Sequence, residues 1–152
     1  MPIEKCANTF NSPEVRMSNW NKKSYSNIEA SELLINNDLS NQSIHCSYYS
    51  CVQYVFHIFC NQFGMDVVEV ETQSLSQVNG VGTHKWLRRQ IFKSIKPKNK
   101  EAAQWFYDAM GEMYHVRANA DYNHINVESV EAKYIQEKAK NVVSFLKEFY
   151  EL

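Results

Sequence analysis

Apolar positions recur at three- and four-residue steps along most of this 152-residue chain, the spacing of one face of an α-helix. The strongest run is Ile44, Tyr48, Val52, Val55, Phe56, Phe59, Cys60 and Phe63, which predicts a central core helix over 41–63. Ser40 or Asn41 is placed to cap its start, and Gly64 to end it in a left-handed conformation. Val127, Val130, Tyr134, Ile135, Ala139, Val142, Leu146 and Phe149 form a second stripe and predict a helix over 126–150. Ala102, Ala103, Phe106, Met110, Met113 and Tyr114 predict another from 99 to 116 or beyond. Val15, Trp20, Ile28, Leu33, Leu34 and Ile35 give 14–36 an apolar side. Leu87 and Ile91 mark a shorter helix over 83–94, stopped by Pro97. "DVVEVET" alternates like a strand but has no partner strand, so 64–82 is expected to be a loop or a helical extension, with 78–82 a connector. The sum is an all-α, up-and-down bundle of four long helices with a short additional helix, one domain over 14–152 behind a polar arm at 1–13.

Composition narrows the class further. Apolar content of 44% suits a soluble globular domain, and only 4 Gly and 3 Pro favour few, long elements. "CVQYVFHIFC" is too short and too polar to span a bilayer, and no secretory signal pattern opens the chain. A cytoplasmic location and no membrane partner are therefore expected. Cys6, Cys46, Cys51 and Cys60 show no metal-ligand or redox spacing and read as small buried hydrophobes. Net charge is −1, yet no acidic residue falls between Thr72 and Lys100, where seven cations do. Lys85, Arg88, Arg89 and Lys93 are thus candidate RNA-phosphate contacts, or else a solvated helix face.

The candidate chemistry lies in "RANADYNH". Arg117 and His124 are seven positions apart, almost two helical turns, which on a continuous helix puts both on one face. A fixed cation beside a group titrating near neutral pH suits work on a phosphate. Four arginines, five histidines and three allowed spacings give roughly 0.4 chance hits, so context must decide. Arg117 and Asp121 also stand at salt-bridge spacing, which leaves open a purely structural ion pair, with Tyr122 covering the core.

Four segments in order carry a family resemblance: "SIHCSYYSCVQYVFHIFC", "GVGTHKWLRRQIF", "RANADY" and "EKAKNVVSFLKEF". Together they resemble HEPN domains, over roughly residues 17–150. The resemblance implies a helical bundle that forms a homodimer. In its active members it implies metal-independent RNA cleavage at a composite dimer cleft. Arg117 would then hold the scissile phosphate and His124 move the proton, leaving 2′,3′-cyclic phosphate ends. Asn119 and Asp121 become auxiliary residues. The toxin–antitoxin branch further implies a small nucleotidyltransferase antitoxin that modifies a tyrosine near the motif, here Tyr122. The alternative is a non-catalytic HEPN scaffold that binds such a partner, another protein or a nucleotide. Ala118 favours it, because active members commonly carry Asn, Asp or His after the arginine. No metal site, cofactor or phosphate-cradling Gly-rich loop is expected; His115, His45, His57 and His84 lack ligand spacing.

Overall fold

One helix, buried on almost every side, organises the chain. The computed structural model describes residues 13–75, 82–124 and 126–152. Among them the order is α1 (Pro13–Asn36), α2 (Ser40–Gln62), α3 (Val67–Leu75), α4 (Thr83–Ile95), α5 (Lys100–Tyr122) and α6 (Ser129–Tyr150). Most of the arm expected at 1–13, and 78–81 of the expected connector, lie outside the described residues.

Side-chain pairs give the helix directions. Trp20 stacks on Phe56 while Ser24, further along α1, donates to the Ser50 carbonyl, so α1 and α2 run antiparallel. Asn41 reaches Ala120 and Tyr48 meets Tyr114, so α2 and α5 are antiparallel. Trp105–Phe145 and Glu112–Lys138 make α5 and α6 antiparallel. The four long helices therefore alternate up and down, with short links joining α1 to α2 and α5 to α6 and the two shorter helices between α2 and α5.

Ile44, Cys51, Tyr54 and Ile58 of α2 are fully buried. Each large apolar side chain so placed contributes about 1.5–3 kcal/mol. Serines let the neighbours come close: Ser24 and Ser31 on α1 are fully buried, as are Ser43, Ser47 and Ser50 on α2. Ser43 and Ser50 return their hydroxyls to carbonyls three residues earlier, at 2.7 and 2.6 Å. A polar side chain on a buried helix satisfies itself most readily in this local way, although Ser47 Oγ has no partner.

Several expectations change. Residues 67–75 form a separate helix rather than a loop or an extension. Its start is a reciprocal capping box, in which Asp66 accepts from the Glu69 amide and Glu69 from the Asp66 amide, both at 2.8 Å. Neither Ser40 nor Asn41 caps α2. Asn41 instead donates to the Ala120 carbonyl and accepts from the Val127 amide, clasping the link between α5 and α6. Val130 and Tyr134 are exposed, because the inward face of α6 runs through Ala132, Ile135, Ala139, Val142 and Leu146. Leu33 is likewise outward of the Ser24–Ile28–Ser31–Ile35 face. Gly64 does take the left-handed conformation at φ 63°, and the Met65 amide closes on the Phe59 carbonyl at 3.0 Å. Cys51 and Cys60 are buried free thiols, and Cys46 is half-buried. Cys6 lies outside the described residues. No helix among them is long and apolar enough to cross a membrane.

Phe106 of α5 is fully buried against this core. Phe106→Ala is expected to cost about 3–5 kcal/mol in urea unfolding, with the helical circular dichroism of the native protein retained. A loss below about 1 kcal/mol would mean that the α5 packing described here is wrong.

Candidate functional site

Helices α2, α4 and α5 meet around a single guanidinium. Arg117 sits in the penultimate turn of α5 and is only 8% exposed. Its Cζ lies 5.4 Å from the ring centre of Tyr48, 5.9 Å from Tyr49 and 5.2 Å from Tyr114. Tyr114 is three residues earlier on the same helix face, and the other two rings come from α2. Nη1 donates to Asp121 Oδ2 at 3.3 Å, while Nε is buried without a hydrogen-bond partner. Asp121 also meets His45 Nδ1 at 3.3 Å, so a guanidinium and an imidazole share one carboxylate.

His84, the second residue of α4, completes the arrangement. Its Nδ1 is 2.7 Å from the Tyr48 hydroxyl, and its ring stacks on Tyr48 at 5.6 Å. Burial, and then the nearby Arg117 charge, push the His84 pKa below its ordinary value. Burial drives the Tyr48 hydroxyl well above its own, with Arg117 opposing only in part. Tyr48 thus keeps its proton and His84 stays neutral at pH 7. When Tyr48 donates to Nδ1, Nε2 carries the imidazole's remaining proton.

Beside this cluster opens a pocket of about 310 Å³, lined by Tyr48, Gly82, Thr83, His84, Lys85, Arg88, Met110, Tyr114 and His115. Gly82 precedes α4 and supplies no capping side chain, so the positive end of the helix dipole faces the pocket rim uncapped. Arg88 lies over the Tyr107 ring at 4.1 Å and against Gly111, where a β-carbon would collide with its guanidinium. The glycine is therefore what lets Arg88 lie flat along α5.

The structure separates the pair singled out in the sequence. α5 ends at Tyr122, and His124 stands two residues beyond it on an exposed bend. The helical spacing that placed Arg117 and His124 on one face does not hold. Tyr122 is 79% exposed rather than packed over the core. Asn119 is exposed and accepts from the Asn123 side chain at 3.0 Å. Asp121 does pair with Arg117. Lys85 and Arg88 share the pocket, whereas Arg89 and Lys93 face a neighbouring groove. His84 and the three tyrosines are the site residues that sequence reasoning did not assign. The signal was present in the "SYYS" and "GTHKW" segments, but only the packing joins them to Arg117. Among the described residues no three His, Cys, Asp or Glu side chains gather as a metal site.

Compared with known proteins, the chain matches no family model, no curated sequence and no solved structure.

Two outcomes follow from this geometry. Because the folded pKa of His84 is depressed, its contribution to stability is complete above the unfolded value of about 6.5 and falls as pH drops below it. Comparing urea midpoints at pH 8 and 5.5, His84→Gln should lose less stability on acidification than wild type; an equal loss would refute the assignment. Asp121→Ala removes the counter-charge of a buried guanidinium and should cost about 1.5–3 kcal/mol in the same assay.

Proposed function

We propose that the chain is a HEPN-type helical module that binds a nucleotide through its phosphate in the pocket of His84, Lys85, Arg88 and His115, without cleaving RNA. The observation that carries this reading is the state of Arg117. Its guanidinium is nearly excluded from solvent, enclosed by three tyrosines and paired with Asp121. So enclosed, the guanidinium does not present its fork to a scissile phosphate, even though Nε has no partner. The adjacent pocket has what a phosphate needs: Lys85 and Arg88, the two histidines, and an uncapped helix start. Tyr48 and Tyr114 add aromatic walls for a base. Its volume is at the small end of ligand pockets, which suits one nucleotide rather than a folded partner. The HEPN assignment is supported by the four ordered sequence segments and by the alternation of four long helices. Titration calorimetry with AMP, ATP and inorganic phosphate tests the reading. Lys85→Ala and His115→Ala should each weaken nucleotide binding about tenfold, the scale of one lost hydrogen bond to a charged group. No binding at millimolar nucleotide, or binding indifferent to both substitutions, would overturn it.

A second reading keeps the chain as a metal-independent, homodimeric endoribonuclease of toxin or defence type. Exposure of His124 favours it, because a second copy could approach that bend. In that reading Asn119 or Tyr122 adjoins the cleft, and a small nucleotidyltransferase antitoxin could act on Tyr122. It requires RNA cleavage that survives chelator, leaves 2′,3′-cyclic phosphate ends and disappears in His124→Ala. Equal cleavage by both proteins, or by neither, removes it.

A further inference from the structure

The seam between α4 and α5 continues past the nucleotide pocket. Beyond Arg88 it widens into a second groove of about 380 Å³, lined by Arg89, Phe92, Lys93, Lys96, Gln104 and Tyr107. The two helices are antiparallel here, since Arg88 meets Gly111 and the Phe92 ring meets the Tyr107 ring at 5.4 Å. Lys85, Arg88, Phe92 and Lys96 fall on one face of α4, and Gln104, Tyr107, Gly111 and Tyr114 on the facing side of α5. From Lys85 to Lys96 this face extends about 16 Å. Both cavities therefore open along one seam, with Arg88 lying across it on Tyr107.

The charges along the seam have one sign. Lys85, Arg88, Arg89, Lys93 and Lys96 line the two cavities, and no carboxylate does. Of the acids on α5, Glu112 pairs with Lys138 of α6, and Asp108 accepts from the side chain of Gln104, itself a lining residue, at 2.9 Å. The hydroxyl of Tyr107 lies within reach of two of these cations. Burial would raise its pKa, but Arg88 and Arg89 together pull it below the ordinary value. Aromatic surface interleaves with the cations, with Tyr107 under Arg88 and Phe92 under Lys96 at 5.6 Å. A row of cations with rings between them suits an extended phosphodiester chain whose bases are free to stack. Duplex bases are already stacked on each other and have no such use for these rings.

We propose that the Arg89–Tyr107 groove of this seam is a binding track for single-stranded nucleic acid, with Arg89, Lys93 and Lys96 contacting successive phosphates and Tyr107 offering for stacking the face that Arg88 does not cover. It does not depend on the nucleotide reading, because the groove of Arg89 and Tyr107 is distinct from the pocket of His84 and His115.

Fluorescence anisotropy with labelled oligo-U, oligo-dT, a duplex of equal length and poly-glutamate tests it. Oligo-U and oligo-dT should bind, with log affinity falling linearly in log salt, and more tightly than duplex or poly-glutamate. The double variant Arg89→Gln/Lys93→Gln should flatten the slope by about 1.4, since each phosphate contact accounts for roughly 0.7 on a single strand. Tyr107→Leu should weaken binding about tenfold with the slope unchanged, while Tyr107→Phe keeps the ring and the affinity. Circular dichroism verifies that each variant is folded. His115→Ala should leave oligonucleotide affinity intact, which separates this track from the nucleotide pocket. Absence of oligonucleotide binding at low salt, an unchanged slope in the double variant, or equal affinity for poly-glutamate would overturn the proposal.

Discussion

A helix surrounded by protein has to satisfy two demands at once, and α2 shows how the rest of the fold answers them. Its large side chains need neighbours on every side, and α1, α4, α5 and α6 supply them. Its buried polar groups cannot turn to water, and most of them bond inward or to an adjacent helix, Ser47 Oγ being left without a partner. Ser43 and Ser50 return to their own backbone, and the Ser50 carbonyl takes the Ser24 hydroxyl of α1. At its two ends α2 ties down the chain's other turns. Asn41 clasps the α5–α6 link, and Gln62 donates to the Tyr150 carbonyl near the end of α6. Each long helix is positioned by what α2 can accept.

The buried charge of Arg117 is a consequence of the same packing. Stripping a cation of water costs several kcal/mol. Three tyrosine faces at about 0.5–2 kcal/mol each, with a hydrogen bond to a carboxylate at about 1.5–3, offset a cost of that size. Those partners hold the guanidinium in one place, almost out of reach of solvent. Its field then acts on its neighbours, adding to the burial that keeps His84 neutral. Burial, reinforced by this structural cation, thereby favours the neutral form of His84 in the adjoining pocket wall. The exposed cations Lys85, Arg89 and Lys93 lie one helix away, on α4.

Periodicity carried the helices well because helical burial is a local, repeating property. The long helix ending near Gly64 and the one stopped before Pro97 follow from spacing and backbone conformation alone. The helix at 67–75 was harder, because valines in alternation imitate a strand. Its deciding signal is the Asp66–Glu69 capping box, two residues whose meaning depends on the turn they make. The outward placement of Tyr134, Val130 and Leu33 was not legible for another reason. An apolar side chain one position off the buried face still counts toward the stripe, and only the neighbouring helices define which face is covered.

By itself the sequence determined an all-α chain of long helices, a basic stretch free of acids, and a pairing distance between Arg117 and Asp121. These depend on residues close along the chain or on charge counts, so no partner is needed to read them. The tertiary structure decided where the chemistry lies. It ended α5 at Tyr122 and so detached His124 from Arg117. It brought Tyr48, Tyr49, His84 and Tyr114 to the guanidinium from three helices, with Tyr48 and Arg117 standing 69 positions apart in the chain. It also turned one charge run into two groups, one around the pocket and one along the α4–α5 seam. Both results come from the crossing of helices, which no spacing along a single helix encodes.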